Sequence, residues 1–275
     1  MSVTVSRGEA GDRVRCDRIM RLLGVKLHDI SIDRLLDVIV ESVEARDRLL
    51  VVNANAHLIN LARREPRLVD LFERADVAFC DGAGVQFALK LQTGRRPARH
   101  TPPQWILPLG KRLAARDATV FWLGGDADVV VQAAEAFTKA TGMRSVGEHH
   151  GFFDLTAGSA ESDAVADMIN RVKPDLLLVN LGMPRQELWL HDNWNRLQVT
   201  VALTGGALVD HVAGRVRRPP IWIADLGLEW LVRLAIEPSR LWQRYLIGLP
   251  IFGTHVLLSL VRGRGTEHRA NICEQ

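Results

Sequence analysis

The sequence predicts an α/β fold, a Rossmann-like, doubly wound and mostly parallel sheet with a C-terminal helical appendage. Short, continuously apolar runs rich in β-branched residues alternate with helical patterns, as expected for parallel strands covered on both faces. Each run leads through small or polar residues into a helix, which is the order of right-handed β–α–β units. After about residue 214 this alternation stops.

The predicted strands cover 49–53, 77–80, 119–125, 175–182 and 199–206. Helices are expected from about Ala56, after the second strand through Leu91, from about Asp128 to Thr141, and from about Pro184. The chain thus divides into a polar leader (1–20) that we expect to be disordered, a sheet core (21–218) and an appendage with its tail (219–275). Prolines at 238 and 250 predict that the appendage breaks into two or three short amphipathic helices.

Composition narrows the class of protein. Of the 275 residues, 47% are hydrophobic, enough for a sizeable core. The net charge of +3 permits anionic partners without requiring them, and we expect no nucleic-acid partner. Three widely separated cysteines form no disulfide or zinc pattern, which favours the reducing cytoplasm. The longest apolar stretch, 249–261, is too short to cross a bilayer, so we expect no spanning helix.

Polar residues that follow the strands are the first candidates for a site, because ligands of open parallel sheets bind beyond the carboxyl ends of the strands. The segment NANAH places Asn53 and Asn55 directly after the first strong strand. Their amides can bind a sugar or a base. The alternative for Asn55 is that it only caps the next helix.

Asp81 leaves the second predicted strand in the segment CDGAG. A carboxylate on such a rigid scaffold can act as a general base. The alternative is that Asp81 is simply a helix N-cap. The two glycines lack the third glycine of a dinucleotide fingerprint, so they favour NAD only weakly.

Two further strand ends can cradle a diphosphate on backbone N–H groups at the start of a helix. One is NLGMPRQE, with Gly182, Arg185 and Gln186, and the other is TGGAL, with Gly205 and Gly206. An ordinary strand-to-helix turn also explains the glycines, but it does not explain Gln186.

Asp126 and Asp128 match the short D-x-D metal motif of many glycosyltransferases. Acidic residues at a helix start are equally expected from capping and the helix dipole, and we favour that interpretation. His149 and His150 lack the further ligands that a zinc site needs. The sequence therefore predicts no metal site.

Eight segments, taken in order and with their spacing, resemble the WecG/TagA/CpsF glycosyltransferase family from about Leu23 to Pro250. They are LLGVKLHDIS, NANAHLINLA, ADVAFCDGAGV, FWLGG, GEHHGFF, VNLGMPRQE, TGGALVDHVAGRVRRPP and GLEWLVRLAIEPSRLWQRYLIG. The chain departs from the family at 98–106, where many members have R-x-x-G-x-D and this chain has Arg99 followed by Pro102 and Gln104. It also has Asn53 where many members have threonine.

The resemblance implies an inverting transfer from a UDP-sugar to a polyprenyl-diphosphate-linked sugar in cell-surface polysaccharide biosynthesis, without metal or other cofactor. The sugar transferred in such enzymes is of the N-acetylmannosamine, uronic acid or hexose type. The family's proposed base falls on Asp81, its motif glutamine on Gln186, and its appendage arginines on Arg233, Arg240 and, less securely aligned, Arg244. Two alternatives remain open at this point: a nucleotide-binding Rossmann protein without catalysis, and an NAD-dependent sugar dehydrogenase.

A lipid-linked acceptor implies work at the inner face of the cell membrane, so we expect a cytoplasmic protein that is peripherally attached to an anionic bilayer surface. The appendage from about residue 219 offers Trp222, Trp230, Trp242, Tyr245 and several leucines for the interfacial zone. Its arginines can bind both anionic headgroups and the donor diphosphate. We expect this segment to form a mobile lid. The alternative is a helical pair packed permanently on the core.

Overall fold

A computed structural model describes residues 18–216, 229–236 and 238–261, without the side chains of Glu229, Arg233 and Arg240. Its strands are β1 (Arg18–Leu22), β2 (Val25–Asp29), β3 (Leu49–Ala54), β4 (Val77–Cys80), β5 (Thr119–Gly124), β6 (Arg144–His149), β7 (Leu176–Asn180) and β8 (Val201–Thr204). They form one eight-stranded sheet in the order β1-β2-β4-β3-β8-β7-β5-β6. Only the β1–β2 pair is antiparallel, so the predicted mostly parallel α/β fold is confirmed.

The helices of the core follow the strands in the expected alternation. They are α1 (Ile32–Ala45), α2 (Ala56–Ala62), α3 (Pro66–Arg74), α4 (Ala83–Thr93), α5 (Pro102–Ala114), α6 (Ala127–Thr141), α7 (Ala160–Val172), α8 (Arg185–Asn193) and α9 (Leu208–Val212). The appendage contains α10 (Glu229–Ile236), α11 (Pro238–Trp242), a π-helical segment (Gln243–Ile247) and α12 (Gly248–Val261).

Two strands at one edge of the sheet were not predicted. The β1–β2 hairpin turns at Leu23 and Gly24, whose φ angles of 51° and 92° suit the tight turn of a twisted hairpin. Its first strand begins at Arg18, ahead of the boundary that we drew at residue 20, while residues 1–17 of the predicted leader lie outside the described residues. The sheet core therefore starts with a hairpin.

The two faces of the sheet carry separate hydrophobic cores, which is what makes the fold doubly wound. One core packs α2, α3, α4, α7, α8 and α12 against the sheet, with Phe72 and Trp189 among its fully buried side chains. The other packs α1, α5, α6 and α9, with Trp122 and Phe137 fully buried. The continuously apolar strands follow from this burial on both faces.

The neighbouring parallel strands β3 and β8 mark the point where the winding reverses. Helix α2, which follows β3, packs on one face of the sheet, and α9, which follows β8, packs on the other. The two chain segments diverge above the carboxyl ends of these strands and leave a crevice between them. Such a switch point is the usual ligand site of an open α/β sheet.

The end of the appendage is a continuous helix from residue 238 to 261, so the predicted break at Pro250 is wrong. A proline inside a helix removes one hydrogen bond and crowds the carbonyl four residues earlier, and here the wider π-helical turn Gln243–Ile247 lies just before it. Residues Gln243–Val261, 19 in number with mean hydropathy 1.5, are long and apolar enough to cross a membrane. The expectation that no segment reaches that length and composition is therefore corrected.

This helix nevertheless packs on the core. Phe252 and Val256 are 5% and 3% exposed and join the core on the α2–α4 side. The Asn60 amide donates to the Gly248 carbonyl at 2.8 Å, and the Gln92 amide donates to the Ser259 hydroxyl at 2.6 Å. The helix therefore lies along α2 and α4 rather than projecting from them.

Candidate active site

A cavity of about 520 Å³ opens at the carboxyl ends of the neighbouring strands β4, β3, β8 and β7. The last residues of these strands and the turns after them contribute Asn53, Asn55, Asp81, Gly82, Gly182, Met183, Gly205 and Gly206. The appendage contributes Trp230, Leu241, Gln243, Arg244, Tyr245 and Leu249. Residues that the sequence placed at four separate strand ends thus meet in one cavity, whose volume suits a small-molecule ligand.

Asp81 is the one carboxylate among the described residues that line this cavity. Its Oδ2 accepts a hydrogen bond of 2.7 Å from Asn53 Nδ2, and the amide oxygen of Asn53 accepts one of 2.7 Å from the Thr204 hydroxyl. Asn53 is 2% exposed and Thr204 is fully buried. The side chains of Asn53 in β3 and Thr204 at the end of β8 therefore fix the orientation of the carboxylate that follows β4.

Gly82, and not Asp81, occupies the N-cap position of α4. Its φ of +113° is a conformation that only glycine adopts readily. The capping alternative for Asp81 is therefore wrong, and its carboxylate lies on the cavity instead. Asn55 caps α2, because its Oδ1 accepts from Leu58 N–H at 3.1 Å, and the residue also lines the cavity.

Gln186 lies behind the cavity wall. It is fully buried, its Oε1 accepts a 3.0 Å hydrogen bond from the Gly206 N–H, and its Nε2 donates to Glu187 Oε1 at 2.7 Å. The Gly206 N–H is thus already engaged within the protein. Arg185 points elsewhere, donating to the Gly151 carbonyl at 2.7 Å, and it is not among the residues that line the cavity.

Two ionisable residues, Arg99 and His57, are among the cavity residues that were not site candidates. Arg99 lies in the loop before α5, and the next residue, His100, anchors that loop through its N–H to the Cys80 carbonyl at 3.0 Å. The arginine of the family's R-x-x-G-x-D pattern was the signal that could have identified it. His57, in the NANAH segment, is the other; burial and the nearby charge of Arg244 lower its pKa to about 4, so its imidazole is neutral at pH 7.

The appendage brings a cation and two aromatic rings to the cavity. Arg244 lies over the ring of Tyr245 at 5.7 Å, and the rings of Tyr245 and Trp230 are 5.7 Å apart. Arg233 and Arg240 lie in α10 and α11, but their side chains are outside the described residues. Arg217, Arg218 and Trp222 of the preceding linker lie outside the described residues altogether. Residue 218, where we drew the boundary between the core and the appendage, lies outside them as well.

The D-x-D carboxylates bind an arginine. Asp126 occupies the N-cap position of α6 without capping it, and its carboxylate lies 3.3 Å from Arg215 Nη1, while Asp128 pairs with Nη2 of the same guanidinium. Neither aspartate is among the residues that line the cavity. Within the described ranges, no group of three or more His, Cys, Asp or Glu side chains could hold a metal ion.

The sequence model of the glycosyl transferase WecG/TagA/CpsF family matches residues 20–266, a span that includes every residue named above as lining the cavity. The chain belongs to this glycosyltransferase family. It is therefore a transferase, and the two alternatives, a non-catalytic nucleotide-binding protein and an NAD-dependent dehydrogenase, are set aside.

Several curated relatives of this glycosyltransferase come from Staphylococcus aureus. The protein of strain NCTC 8325 / PS 47 is 29% identical over 211 residues, which cover 76% of this chain and 80% of the relative. Those of strains MW2 and MRSA252 are each 28% identical over the same length. All three are named N-acetylglucosaminyldiphosphoundecaprenol N-acetyl-beta-D-mannosaminyltransferase.

Proposed function

We propose that this glycosyltransferase moves a sugar of the N-acetylmannosamine type from a UDP-sugar to a polyprenyl-diphosphate-linked sugar, with inversion at the anomeric carbon. The observation that carries the proposal is the Asp81 carboxylate, held by Asn53 at 2.7 Å on a cavity that arginines also line. The names of the relatives support the mannosaminyl group and the lipid-diphosphate acceptor. UDP-sugars of the uronic acid type and of the hexose type are the other donors that the family resemblance implies.

Asp81 serves as the general base. It removes the proton of an acceptor hydroxyl, and that oxygen attacks the anomeric carbon from the face opposite the UDP leaving group. The bond from the anomeric carbon to the diphosphate oxygen breaks as the new glycosidic bond forms. One displacement inverts the configuration, so no covalent enzyme intermediate is required.

The departing diphosphate gains negative charge, which cations at the cavity stabilise. Arg244 and Arg99 both line the cavity, and guanidinium groups bind diphosphate oxygens in a bidentate manner. We expect Arg233 and Arg240 to bind the diphosphate as well, because the family's appendage arginines fall on these two positions. No metal ion enters this scheme, since the arginines supply the stabilisation.

The acceptor is anchored in lipid, and the outer face of the C-terminal helix suits a bilayer surface. Ile247, Ile251 and Leu258 are 47%, 40% and 45% exposed and follow a helical stripe, although the outer face of a helix packed on a core is normally polar. Phe87 and Leu91 on the neighbouring α4 are 63% and 47% exposed. We name these five side chains the apolar stripe, and we place it against the inner face of the membrane.

The lid interpretation takes a narrower form on this basis. Helix α12 stays packed on α2 and α4, and Arg244 belongs to the same continuous helix, so only the preceding helix α10 with Trp230 closes over the bound donor. Membrane attachment and completion of the site are then linked, because one continuous helix carries both Arg244 and most of the apolar stripe.

The test is a direct assay. Purified protein is incubated with UDP-N-acetylmannosamine, UDP-N-acetylmannosaminuronic acid or UDP-hexoses, and with an N-acetylglucosaminyl-diphosphate-lipid, and released UDP and lipid product are measured. We expect acceptor-dependent UDP release and a product whose new linkage has the anomeric configuration opposite to that of the donor. Retention of configuration, or no transfer from any of these donors, would overturn the proposal.

A further inference from the structure

Glu187 is a fully buried ionisable side chain that lies beside the cavity. It has no role in the mechanism proposed above. Its Oε1 accepts a 2.7 Å hydrogen bond from Gln186 Nε2. Its other oxygen, Oε2, is buried without a hydrogen-bond partner in the described part of the chain. A carboxylate in that position would bury a charge that its surroundings compensate only in part, which is costly.

The side chain belongs to a short relay that ends on the cavity wall. Glu187 holds the Gln186 amide, and the oxygen of that amide holds the Gly206 N–H at 3.0 Å. The cavity wall is tightly packed at this point, because a Cβ atom on Gly205 would lie 2.2 Å from Asn180 Oδ1. A change at Glu187 therefore reaches the Gly205–Gly206 turn through one residue, Gln186.

We propose that Glu187 is a positioning residue that acts in its protonated, uncharged form, holding the Gln186 amide that fixes Gly206 in the cavity wall. The inference rests on the proposed function. A neutral side chain keeps negative charge away from the wall against which a diphosphate binds. It also leaves Arg244 to the diphosphate, since an ionised Glu187 would attract that guanidinium.

The electrostatic surroundings agree with this state. Burial raises the pKa of Glu187 to about 8, and the opposing influences are hydrogen bonds from Gln186 and the backbone together with the charge of Arg244. The charged groups of α3, which packs against α8, are engaged elsewhere. Arg67 and Asp70 contact Asp192 and His191 at the C-terminal end of α8, and Glu73 pairs with Arg21. Arg185, on α8 itself, binds the Gly151 carbonyl.

The test compares wild type with Glu187→Gln, which keeps an oxygen to accept from Gln186 but cannot ionise. Glu135→Gln, an exposed residue of α6, is the matched control. With a pKa of about 8, about one molecule in ten keeps the proton at pH 9, so we expect wild type and Glu135→Gln to lose about tenfold in kcat between pH 7 and 9. We expect Glu187→Gln to lie within about twofold of wild type at pH 7 and to lack this alkaline loss. An inactive Glu187→Gln, or an alkaline loss equal to that of wild type, would overturn the inference.

Thermal unfolding gives a second measurement that does not depend on transfer. Because the folded state raises the pKa, the folded chain binds this proton more tightly than the unfolded chain, and stability falls as the pH rises from about 4.5 to about 8. The unfolding temperature of wild type should therefore fall more between pH 6 and 9 than that of Glu187→Gln. Equal falls would contradict the neutral side chain. A wild type that shows this fall but transfers no sugar at any pH would refute the proposed function and leave the protonated state of Glu187 standing.

Discussion

Asn53 Nδ2 donates to Asp81 Oδ2 at 2.7 Å, across two neighbouring parallel strands. The amide cannot rotate freely, because its oxygen is bound to the Thr204 hydroxyl of the strand on the other side. Three adjacent strands therefore fix the direction of one carboxylate. A general base needs such hydrogen bonds from neighbouring residues, because they hold its carboxylate in one orientation toward the acceptor hydroxyl.

Asn53→Asp should abolish this support and change the pH dependence. Two carboxylates at that distance resist double ionisation, so the base is held protonated near neutral pH. We expect about a 10²-fold loss of kcat at pH 7, and a smaller deficit relative to wild type at pH 9, when both enzymes are measured at each pH. Rates of UDP release measured across pH decide this prediction.

Asn53→Thr is the matched control, since many family members carry threonine at this position and its hydroxyl can still donate to Asp81. It should retain clearly more activity than Asn53→Ala. Equal losses in the two variants would mean that the hydrogen bond to Asp81 has no part in the reaction.

Arg244→Gln should lower transfer by about 10²-fold, because it removes a cationic donor from the leaving diphosphate. The charge of Arg244 also lowers the pKa of His57 and opposes the increase in the pKa of Glu187. Arg244 therefore interacts electrostatically with two other side chains at or beside the cavity. The variant Arg215→Gln, which removes the partner of Asp126 and Asp128, is the control and should keep most of the activity. If Arg215→Gln loses as much as Arg244→Gln, the diphosphate role is misassigned.

Transfer should proceed in EDTA at an unchanged rate. The D-x-D carboxylates are bound to Arg215 and lie outside the cavity lining. The double variant Asp126→Asn/Asp128→Asn should stay within about twofold of wild type. Loss of activity in EDTA that Mn²⁺ or Mg²⁺ restores would show that a metal is used after all.

Ile251→Glu/Leu258→Glu should weaken binding to liposomes that contain anionic lipid, because it places two charges in the apolar stripe. Transfer to a soluble, short-chain acceptor should change little, whereas transfer to acceptor in vesicles should fall. Val131→Glu is the control, since Val131 is 40% exposed on α6, which packs on the other face of the sheet. Unchanged liposome binding in the double variant would remove the stripe from the membrane interface.

The sequence predicted the parts of the fold whose signal is local. Strands β3, β4, β5, β7 and β8 are buried on both faces and read as unbroken apolar runs. Strand β6 is partly exposed along its whole length, at the edge of the sheet, so it carries no such run. The hairpin was missed because its two strands are short and mix polar with apolar residues.

The site was predicted as a set of strand ends, and its geometry was not. Sequence order shows that Asn53, Asp81 and Gly205 lie at or just after the ends of strands, and parallel packing brings those ends together. Whether a side chain faces the cavity or the core depends on packing between elements. Gln186 and Arg185, adjacent in sequence, point to the Gly206 turn and to Gly151, and neither direction has a signature in the chain.

Asp81→Asn offers the most direct test of the central claim that Asp81 is the base of a sugar transfer. Removal of a general base costs about 10²–10⁴-fold in rate, while the amide is nearly the same size and leaves the cavity in place. Transfer from UDP-N-acetylmannosamine to the lipid-diphosphate acceptor is measured in parallel with UDP affinity by calorimetry. We predict a kcat lower by that factor, with UDP affinity within about threefold of wild type and an unchanged unfolding temperature. A purified, folded Asp81→Asn that turns over at nearly the wild-type rate would contradict the claim.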